Sequence, residues 1–161
     1  MFNRIVLILI ITGFIYAQDE QKVVLITGTA YGIGKSTAEL LIDKGHIVYG
    51  GDILVEENLY LNDIGGTALE MDVTNQEHID KAINQIISEQ GRVDVLVNNA
   101  GLGVYGAIED VSMEDIYYQY DVNLFGLARV TKAVLPYMRE KESGLIINIS
   151  SVLGETYGPL A

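Results

Sequence analysis

Short apolar runs alternate along the chain with longer segments in which apolar residues recur every three or four positions. Short runs are typical of buried strands, and the longer period is typical of helices. The pattern predicts five strands: Val23–Thr27, His46–Gly50, Thr67–Met71, Val93–Val97 and Gly144–Ile149. It predicts four helices between them: Gly34–Lys44, Val55–Asp63, one that follows Asn75 and runs to Gln90, and one from Ser112 to about Arg139. Pro136 is expected to bend or end the last of these helices.

Strands that alternate with helices form a parallel sheet with helices on both faces. Right-handed crossover connections then give the α/β doubly wound arrangement of the Rossmann type. In such sheets a ligand binds outside the carboxyl ends of the strands, where the strand order reverses. The sequence therefore predicts an α/β doubly wound Rossmann domain over residues 22–161 with a ligand site at that edge of the sheet.

The first 21 residues differ from the rest of the chain. Arg4 precedes an apolar run from Ile5 to Tyr16, and Ala17 follows it. These features are typical of a signal peptide, and the run is short for a membrane span of about 20 residues. Residues 1–21 are predicted to be a signal-like or membrane-associated segment, so that the protein would be exported, or anchored through residues 1–17. A mis-assigned start codon is the alternative, and it would leave the protein in the cytoplasm.

The composition excludes several classes of function. The chain carries a formal net charge of -12, whereas nucleic-acid binding requires a basic face. The absence of cysteine excludes disulfides, thiol catalysis and cysteine metal sites. His46 and His78 stand apart in the sequence, and no metal site is predicted.

A glycine-rich turn joins the first predicted strand to the first helix. Because glycine lacks a Cβ, the backbone can turn tightly there and lie against a pyrophosphate. The N–H groups at the start of the following helix would face that anion. A tight turn without a ligand is the alternative. The residues predicted to bind a dinucleotide at this turn are Gly28, Thr29, Tyr31, Gly32, Ile33 and Gly34.

Asp52 follows the second predicted strand, 24 residues after Gly28. An acidic residue at this point can accept hydrogen bonds from the hydroxyls of the adenosine ribose. A carboxylate there repels a 2′-phosphate, and Tyr31 in the glycine turn is not basic. NAD is therefore favoured over NADP. A helix cap or a surface acid is the alternative for Asp52.

The spacing of Gly28, Gly32 and Gly34 resembles the TGxxxGxG turn of the short-chain dehydrogenase/reductase family. Four further motifs follow in the family's order, and together they make the resemblance specific over residues 22–161. They are Asp72-Val73, Asn98-Asn99-Ala100-Gly101, Asn123 within the segment 121–126, and Ser151 at the end of the segment 147–151.

The resemblance implies cofactor-binding roles for two of these motifs. Asp72 and Val73 would contact the adenine, and Asn98, Ala100 and Gly101 would shape the cofactor site. Asp72 could instead cap the next helix, and the asparagines could be turn residues that bridge strands.

The other two motifs are implied to carry catalysis. Asn123 would hold a water molecule in a proton relay, or it could be a helix asparagine satisfied by backbone groups. The Ser151 hydroxyl would hydrogen-bond the substrate oxygen and polarise a carbonyl, although Ser150 and Ser151 could both be turn residues.

The family's activity is hydride transfer between a nicotinamide cofactor and an alcohol/carbonyl pair. Its acid/base pair, Tyr-x-x-x-Lys, would fall beyond Ala161, so the domain is expected to be C-terminally incomplete. The alternative function is therefore a cofactor-binding module or fragment without catalysis, with the fifth strand as an exposed apolar edge.

The expected partners are a small-molecule alcohol or carbonyl and, in a full-length form, a second copy of the chain. Tyr117, Tyr118 and Tyr120 lie on the helix where family members often form dimers, and they could serve either the core or that interface.

Overall fold

All paired strands in the sheet run parallel, in the order β3-β2-β1-β4-β5. The computed structural model describes residues 20–152, so that the predicted segment 1–21 and the last residues of the predicted domain lie largely outside the described residues. The strands are β1 (Val23–Thr27), β2 (Ile47–Asp52), β3 (Thr67–Glu70), β4 (Val95–Asn98) and β5 (Leu145–Asn148). The strand order reverses between β1 and β4, which confirms the doubly wound prediction and locates its crevice.

Seven helical segments connect these strands. They are α1 (Gly32–Asp43), α2 (Val55–Asn58), α3 (Tyr60–Asp63), α4 (Gln76–Gln90), α5 (Met113–Tyr120), a π-helix (Asp121–Gly126) and α6 (Leu127–Glu140). Asn75 caps α4 as predicted, since its side chain accepts hydrogen bonds from the N–H groups of Glu77 and His78.

Two helix predictions were wrong in detail. The predicted helix 55–63 is two short helices, and the break at Leu59 follows Asn58, whose buried side chain bonds to Gly50 and Thr29. The predicted long helix contains the π-helix at its centre, a feature that apolar periodicity does not reveal. Pro136 does not end α6, which continues to Glu140.

The alternation of side chains along β1 divides the core into two layers. Val23 and Leu25 pack with α4 and α6, whereas Val24 and Ile26 pack on the opposite face with α1 and α3. Every residue of β1 is buried, as expected for the central strand of a sheet covered on both faces.

The edge strand β5 is covered on one face only. Ile146 packs against the layer formed by α4 and α6, whereas Leu145 is 53% exposed and Ile147 is 39% exposed. Within residues 20–152, β5 pairs only with β4. Among residues 20–152, no helix is long and apolar enough to cross a membrane.

Leu61→Ala should lower the free energy of unfolding by about 2–5 kcal/mol, because the side chain is fully buried against Gly50 beneath the sheet. Leu59→Ala is the matched control at a position that is 42% exposed, and it should change that free energy by less than about 0.5 kcal/mol. Urea unfolding followed by circular dichroism measures both. Equal losses would contradict the described packing of α3.

Candidate functional site

A cavity of about 830 Å³ lies at the carboxyl edge of the sheet, where the order of the strands reverses. A smaller cavity of about 190 Å³ adjoins it. Most of the predicted site residues line the larger cavity: Gly28, Tyr31, Ile33, Asp52, Asn98, Ala100, Gly101, Asn123 and Ser151. Asp72 and Val73 line the smaller one. Within the described residues, the chain topology thus brings together residues from all five motifs, together with Asp52.

The glycine turn is shaped by its contact with the loop after β4. Gly28 and Gly32 have φ angles of 74° and 60°, a region that favours glycine. A Cβ on Gly34 would overlap the carbonyl oxygen of Gly28 and the Asn99 side chain. Gly32 and Gly34 therefore determine the path of the turn, and neither is among the residues that line the two cavities.

Asn99 ties the end of β4 to this turn. Its Nδ2 donates hydrogen bonds to the carbonyl oxygens of Thr27 (2.9 Å) and Gly28 (2.8 Å). In return, the Thr27 hydroxyl oxygen accepts from the backbone N–H groups of Asn99 and Ala100, each at 3.0 Å. The interpretation of Asn99 as a residue that bridges strands is confirmed.

Asp52 is 9% exposed, so it is not a surface acid. One carboxylate oxygen accepts a hydrogen bond from the N–H of Ala30 (2.8 Å) and the other from the N–H of Leu54 (2.9 Å). A carboxylate has about four acceptor positions, so Asp52 can hold the glycine turn and still accept hydrogen bonds from a ligand in the cavity.

Thr29 has a structural side chain, since the residue is fully buried and its hydroxyl donates to Asn58 Oδ1 at 2.8 Å. Asn58 Nδ2 donates to the carbonyl oxygen of Gly50 (2.8 Å), and the Tyr60 hydroxyl donates to the carbonyl oxygen of Thr29 (3.0 Å). Asn58 and Tyr60 thus support the turn from behind. Sequence reasoning missed both, because their partner is about 30 residues away and a helical pattern gives no sign of it.

Asn98 connects three elements beside the cavity. Its Nδ2 donates to Asn148 Oδ1 on β5 (2.9 Å) and to the Thr131 hydroxyl oxygen on α6 (3.0 Å). Its own Oδ1 is buried and has no hydrogen-bond partner among residues 20–152. Because Ser151 follows β5 by three residues and lines the cavity, this network fixes the strand that presents the serine.

Asn123 lies in the π-helix and forms two hydrogen bonds with the backbone of Leu102. Its Oδ1 accepts from the N–H (2.9 Å), and its Nδ2 donates to the carbonyl oxygen (2.7 Å). Backbone groups therefore satisfy one acceptor position and one donor position of the Asn123 amide, as the alternative interpretation predicted.

Asp72 forms a local turn rather than a helix cap. One of its carboxylate oxygens accepts hydrogen bonds from the N–H (2.8 Å) and the hydroxyl (2.7 Å) of Thr74. The cap of α4 is Asn75 instead, so the helix-cap interpretation of Asp72 was wrong.

The family model described as short chain dehydrogenase matches residues 22–161. The chain belongs to the short-chain dehydrogenase/reductase family. The family and the fold that the sequence motifs indicated are both confirmed.

Relatives of this short-chain dehydrogenase chain are consistently longer. A 3-ketodihydrosphingosine reductase from Bacteroides thetaiotaomicron is 48% identical, over 84% of this chain and 49% of the relative. A 3-oxoacyl-[acyl-carrier-protein] reductase from Thermotoga maritima is 39% identical, over 84% of this chain and 57% of the relative. A crystal structure of a short-chain dehydrogenase from Streptomyces avermitilis superposes with a TM-score of 0.79 at 37% identity, covering 86% of this chain and 52% of that one. The chain spans about half the length of the curated relatives it matches.

The hydrogen bond through which Tyr60 supports the glycine turn depends on the protonation of the Tyr60 phenol. Burial raises the pKa of the Tyr60 phenol to about 12, and the carboxylates of Glu39 and Asp52 act in the same direction. The Lys35 ammonium lies 4.3 Å from the centre of the Tyr60 ring, at a distance suited to a cation–π interaction. The neutral phenol is therefore the form that donates to Thr29.

The stability of this short-chain dehydrogenase domain should fall in alkali through Tyr60. Since the pKa is raised from 10.0 to about 12 on folding, the contribution of Tyr60 is complete below pH 10 and is lost as the pH rises towards 12. Tyr60→Phe should lower the free energy of unfolding at neutral pH by about 0.5–1.5 kcal/mol and make its alkaline decline shallower. Urea unfolding of both proteins between pH 8 and pH 11 measures this, and identical pH profiles would contradict the assignment.

Proposed function

We propose that residues 22–161 form the cofactor-binding half of an oxidoreductase that transfers a hydride between a nicotinamide cofactor and an alcohol/carbonyl pair. The observation that carries this proposal is the larger cavity, which extends from Tyr31 and Asp52 to Ser151 in a single space of about 830 Å³. Ligand pockets for small molecules and cofactors occupy about 300–1,000 Å³. The glycine turn and the proposed catalytic serine would thus contact one bound molecule.

The start of α1 is suited to a pyrophosphate. No side chain caps this helix at Tyr31, whereas Asn75 caps α4 and Ser112 caps α5 with side-chain oxygens. The first N–H groups of a helix need acceptors, and an anion can provide them. A Cβ placed on Gly32 would meet no atom within 4 Å, so the backbone of the turn is open to a ligand at that point. These residues fit a dinucleotide.

The chemistry of such a complex divides between cofactor and protein. A bound nicotinamide cofactor supplies the hydride-transfer chemistry, and the protein supplies position and electrostatics. We assign to the Ser151 hydroxyl a hydrogen bond to the substrate oxygen, which polarises the carbonyl bond. The hydrogen bonds of Asn98 to Asn148 and Thr131 hold β5 so that the serine faces the cavity.

Asn123 is proposed to hold a relay water with the capacity that Leu102 leaves unused. An asparagine amide has two acceptor lone pairs and two donor hydrogens. The two hydrogen bonds to Leu102 use one of each. One acceptor position and one donor position therefore remain for a water molecule at the cavity wall.

NAD is the proposed cofactor form. The Asp52 carboxylate is held in place by Ala30 and Leu54, and it lines the cavity beside the glycine turn. A second negative charge from a 2′-phosphate would lie against it. Tyr31, which lines the same part of the cavity, brings no positive charge to offset the repulsion.

A ketone on an acyl or sphingoid chain is the substrate class that we propose to test first. The names of two relatives specify a 3-keto and a 3-oxo substrate. The lining of the cavity that contains Ser151 also includes the apolar residues Leu102, Val104 and Ile149 and the aromatic Tyr105. Such a lining is suited to a substrate that carries a hydrocarbon chain.

Asp52→Asn should reduce the preference for NADH over NADPH, because it removes the charge that repels the 2′-phosphate. It also removes one of the two hydrogen bonds to Ala30 and Leu54, a loss that affects both cofactors alike and so leaves their ratio as the readout. We expect the wild type to bind NADH more tightly than NADPH. In the variant, the ratio of the NADPH to the NADH dissociation constant should fall about tenfold. Dissociation constants from NADH and NADPH fluorescence measure it. Asp63→Asn, an exposed substitution in α3, is the matched control and should keep the wild-type ratio. An unchanged ratio in Asp52→Asn would contradict the cofactor assignment.

Ser151→Ala should lower kcat by about 100- to 1,000-fold, with the NADH dissociation constant unchanged, because the lost hydrogen bond acts on the transition state. The protein to use is the product of the whole reading frame that contains these residues, with a 3-oxoacyl thioester as substrate. Exposed Ser143→Ala is the control. If Ser150→Ala abolished turnover and Ser151→Ala did not, the catalytic role would belong to Ser150 instead of Ser151. A product that binds NADH but shows no turnover would favour the cofactor-binding module.

A further inference from the structure

Two amide side chains of one helical segment hold the loop that follows β4. Asn123 forms hydrogen bonds with the N–H and the carbonyl oxygen of Leu102, and Gln119 Oε1 accepts from the N–H of Val104 at 2.6 Å. Gln119 and Asn123 are four residues apart, so they lie on the same side of the segment formed by α5 and the π-helix. Both side chains line the larger cavity.

The hydrogen bond to Val104 fixes the orientation of the Gln119 amide. Because a backbone N–H can only donate, the amide oxygen must face Val104, and Nε2 is the other end of the same planar group. Gln119 is half-buried, and among residues 20–152 its Nε2 donates no hydrogen bond. Gln119 therefore presents two unused N–H donors in the lining of the cavity.

The charges of the larger cavity decide what kind of acceptor suits these donors. Its described lining contains no lysine, arginine or histidine, and its one carboxylate, Asp52, is bonded to Ala30 and Leu54 beside the glycine turn. A carboxylate or phosphate group of a substrate would be desolvated there without a countercharge. A neutral carbonyl or hydroxyl oxygen needs only a donor, which the amide provides.

We propose that Gln119 is a specificity-determining residue whose Nε2 donates a hydrogen bond to a second, neutral oxygen of the substrate that does not react. The inference rests on the proposed function, because it concerns the substrate of the same site. Asn123, the proposed holder of the relay water, lies one helical turn from Gln119, about 5 Å along the axis. The second oxygen would therefore lie close to the reacting carbonyl, as the thioester oxygen of a 3-oxoacyl compound does.

Gln119→Glu separates the two hydrogen bonds of this side chain. The carboxylate can still accept from the N–H of Val104 and so retains the loop contact, but it has no hydrogen to donate to a substrate. Gln76→Glu adds the same charge at an exposed position in the first turn of α4 and is the matched control. The protein to use is again the product of the whole reading frame.

Two substrates distinguish recognition from support of the loop: a 3-oxoacyl N-acetylcysteamine thioester, and a methyl ketone with a hydrocarbon chain of the same length. Gln119→Glu should lower the ratio of kcat/KM for the thioester to kcat/KM for the ketone about tenfold, and Gln76→Glu should keep the wild-type ratio. The loss should fall on KM rather than kcat, because the bond is to an atom that does not react.

Titration calorimetry of the NAD⁺ complex with the same thioester gives a readout that does not require turnover. The dissociation constant should rise about tenfold in Gln119→Glu and stay unchanged in Gln76→Glu. If Gln119→Glu does not fold, Gln119→Met, which has no amide, should lower the ratio between the two substrates as well.

The failures of the inference and of the proposed function are distinguishable. Equal losses for the thioester and the ketone in the folded Gln119 variant would assign this side chain to the loop alone, and would overturn the inference while leaving the proposed function in place. A wild-type ratio in that variant would do the same. A folded wild type that reduces neither substrate with NADH would overturn the proposed function and the inference with it.

Discussion

The close approach of the glycine turn to the end of β4 is the constraint on which the rest of the site depends. Asn99 donates to two carbonyl oxygens of the turn, and the Thr27 hydroxyl oxygen accepts from the two backbone N–H groups at the end of β4. Any side chain at Gly34 would push these partners apart. The cavity exists in its present form because two loops from adjacent strands are held at hydrogen-bonding distance.

The turn is also supported by buried polar groups on β2, on α2 and within the turn itself. Asp52, Asn58 and Thr29 are each less than 10% exposed, and each forms hydrogen bonds. A buried polar group that loses its partner costs about 1–3 kcal/mol. These groups therefore favour a single conformation of the turn, and a ligand would meet a binding surface that is already ordered.

The sequence predicted the elements that periodicity and glycine spacing determine. The five strands, the capping role of Asn75 and the convergence of Gly28, Asp52, Asn98 and Ser151 at one edge follow from short-range patterns and from the rules for parallel sheets. The π-helix at 121–126 was not predictable, because it keeps the apolar pattern of an α-helix while changing the hydrogen bonds. The supports from Asn58 and Tyr60 were not predictable either, because they depend on which side chains α2 and α3 direct towards β2.

The two parts of the site differ in what stabilises them. The side chains that hold the glycine turn, Thr27, Asp52, Asn58, Tyr60 and Asn99, lie on or directly beside the inner strands β1, β2 and β4. Ser151 instead follows β5, where Asn148 Oδ1 accepts a hydrogen bond from Asn98 Nδ2. The same Asn98 amide donates to the Thr131 hydroxyl oxygen on α6. The segment that carries the serine is therefore positioned through one buried side chain at the end of β4, whereas several independent hydrogen bonds hold the glycine turn.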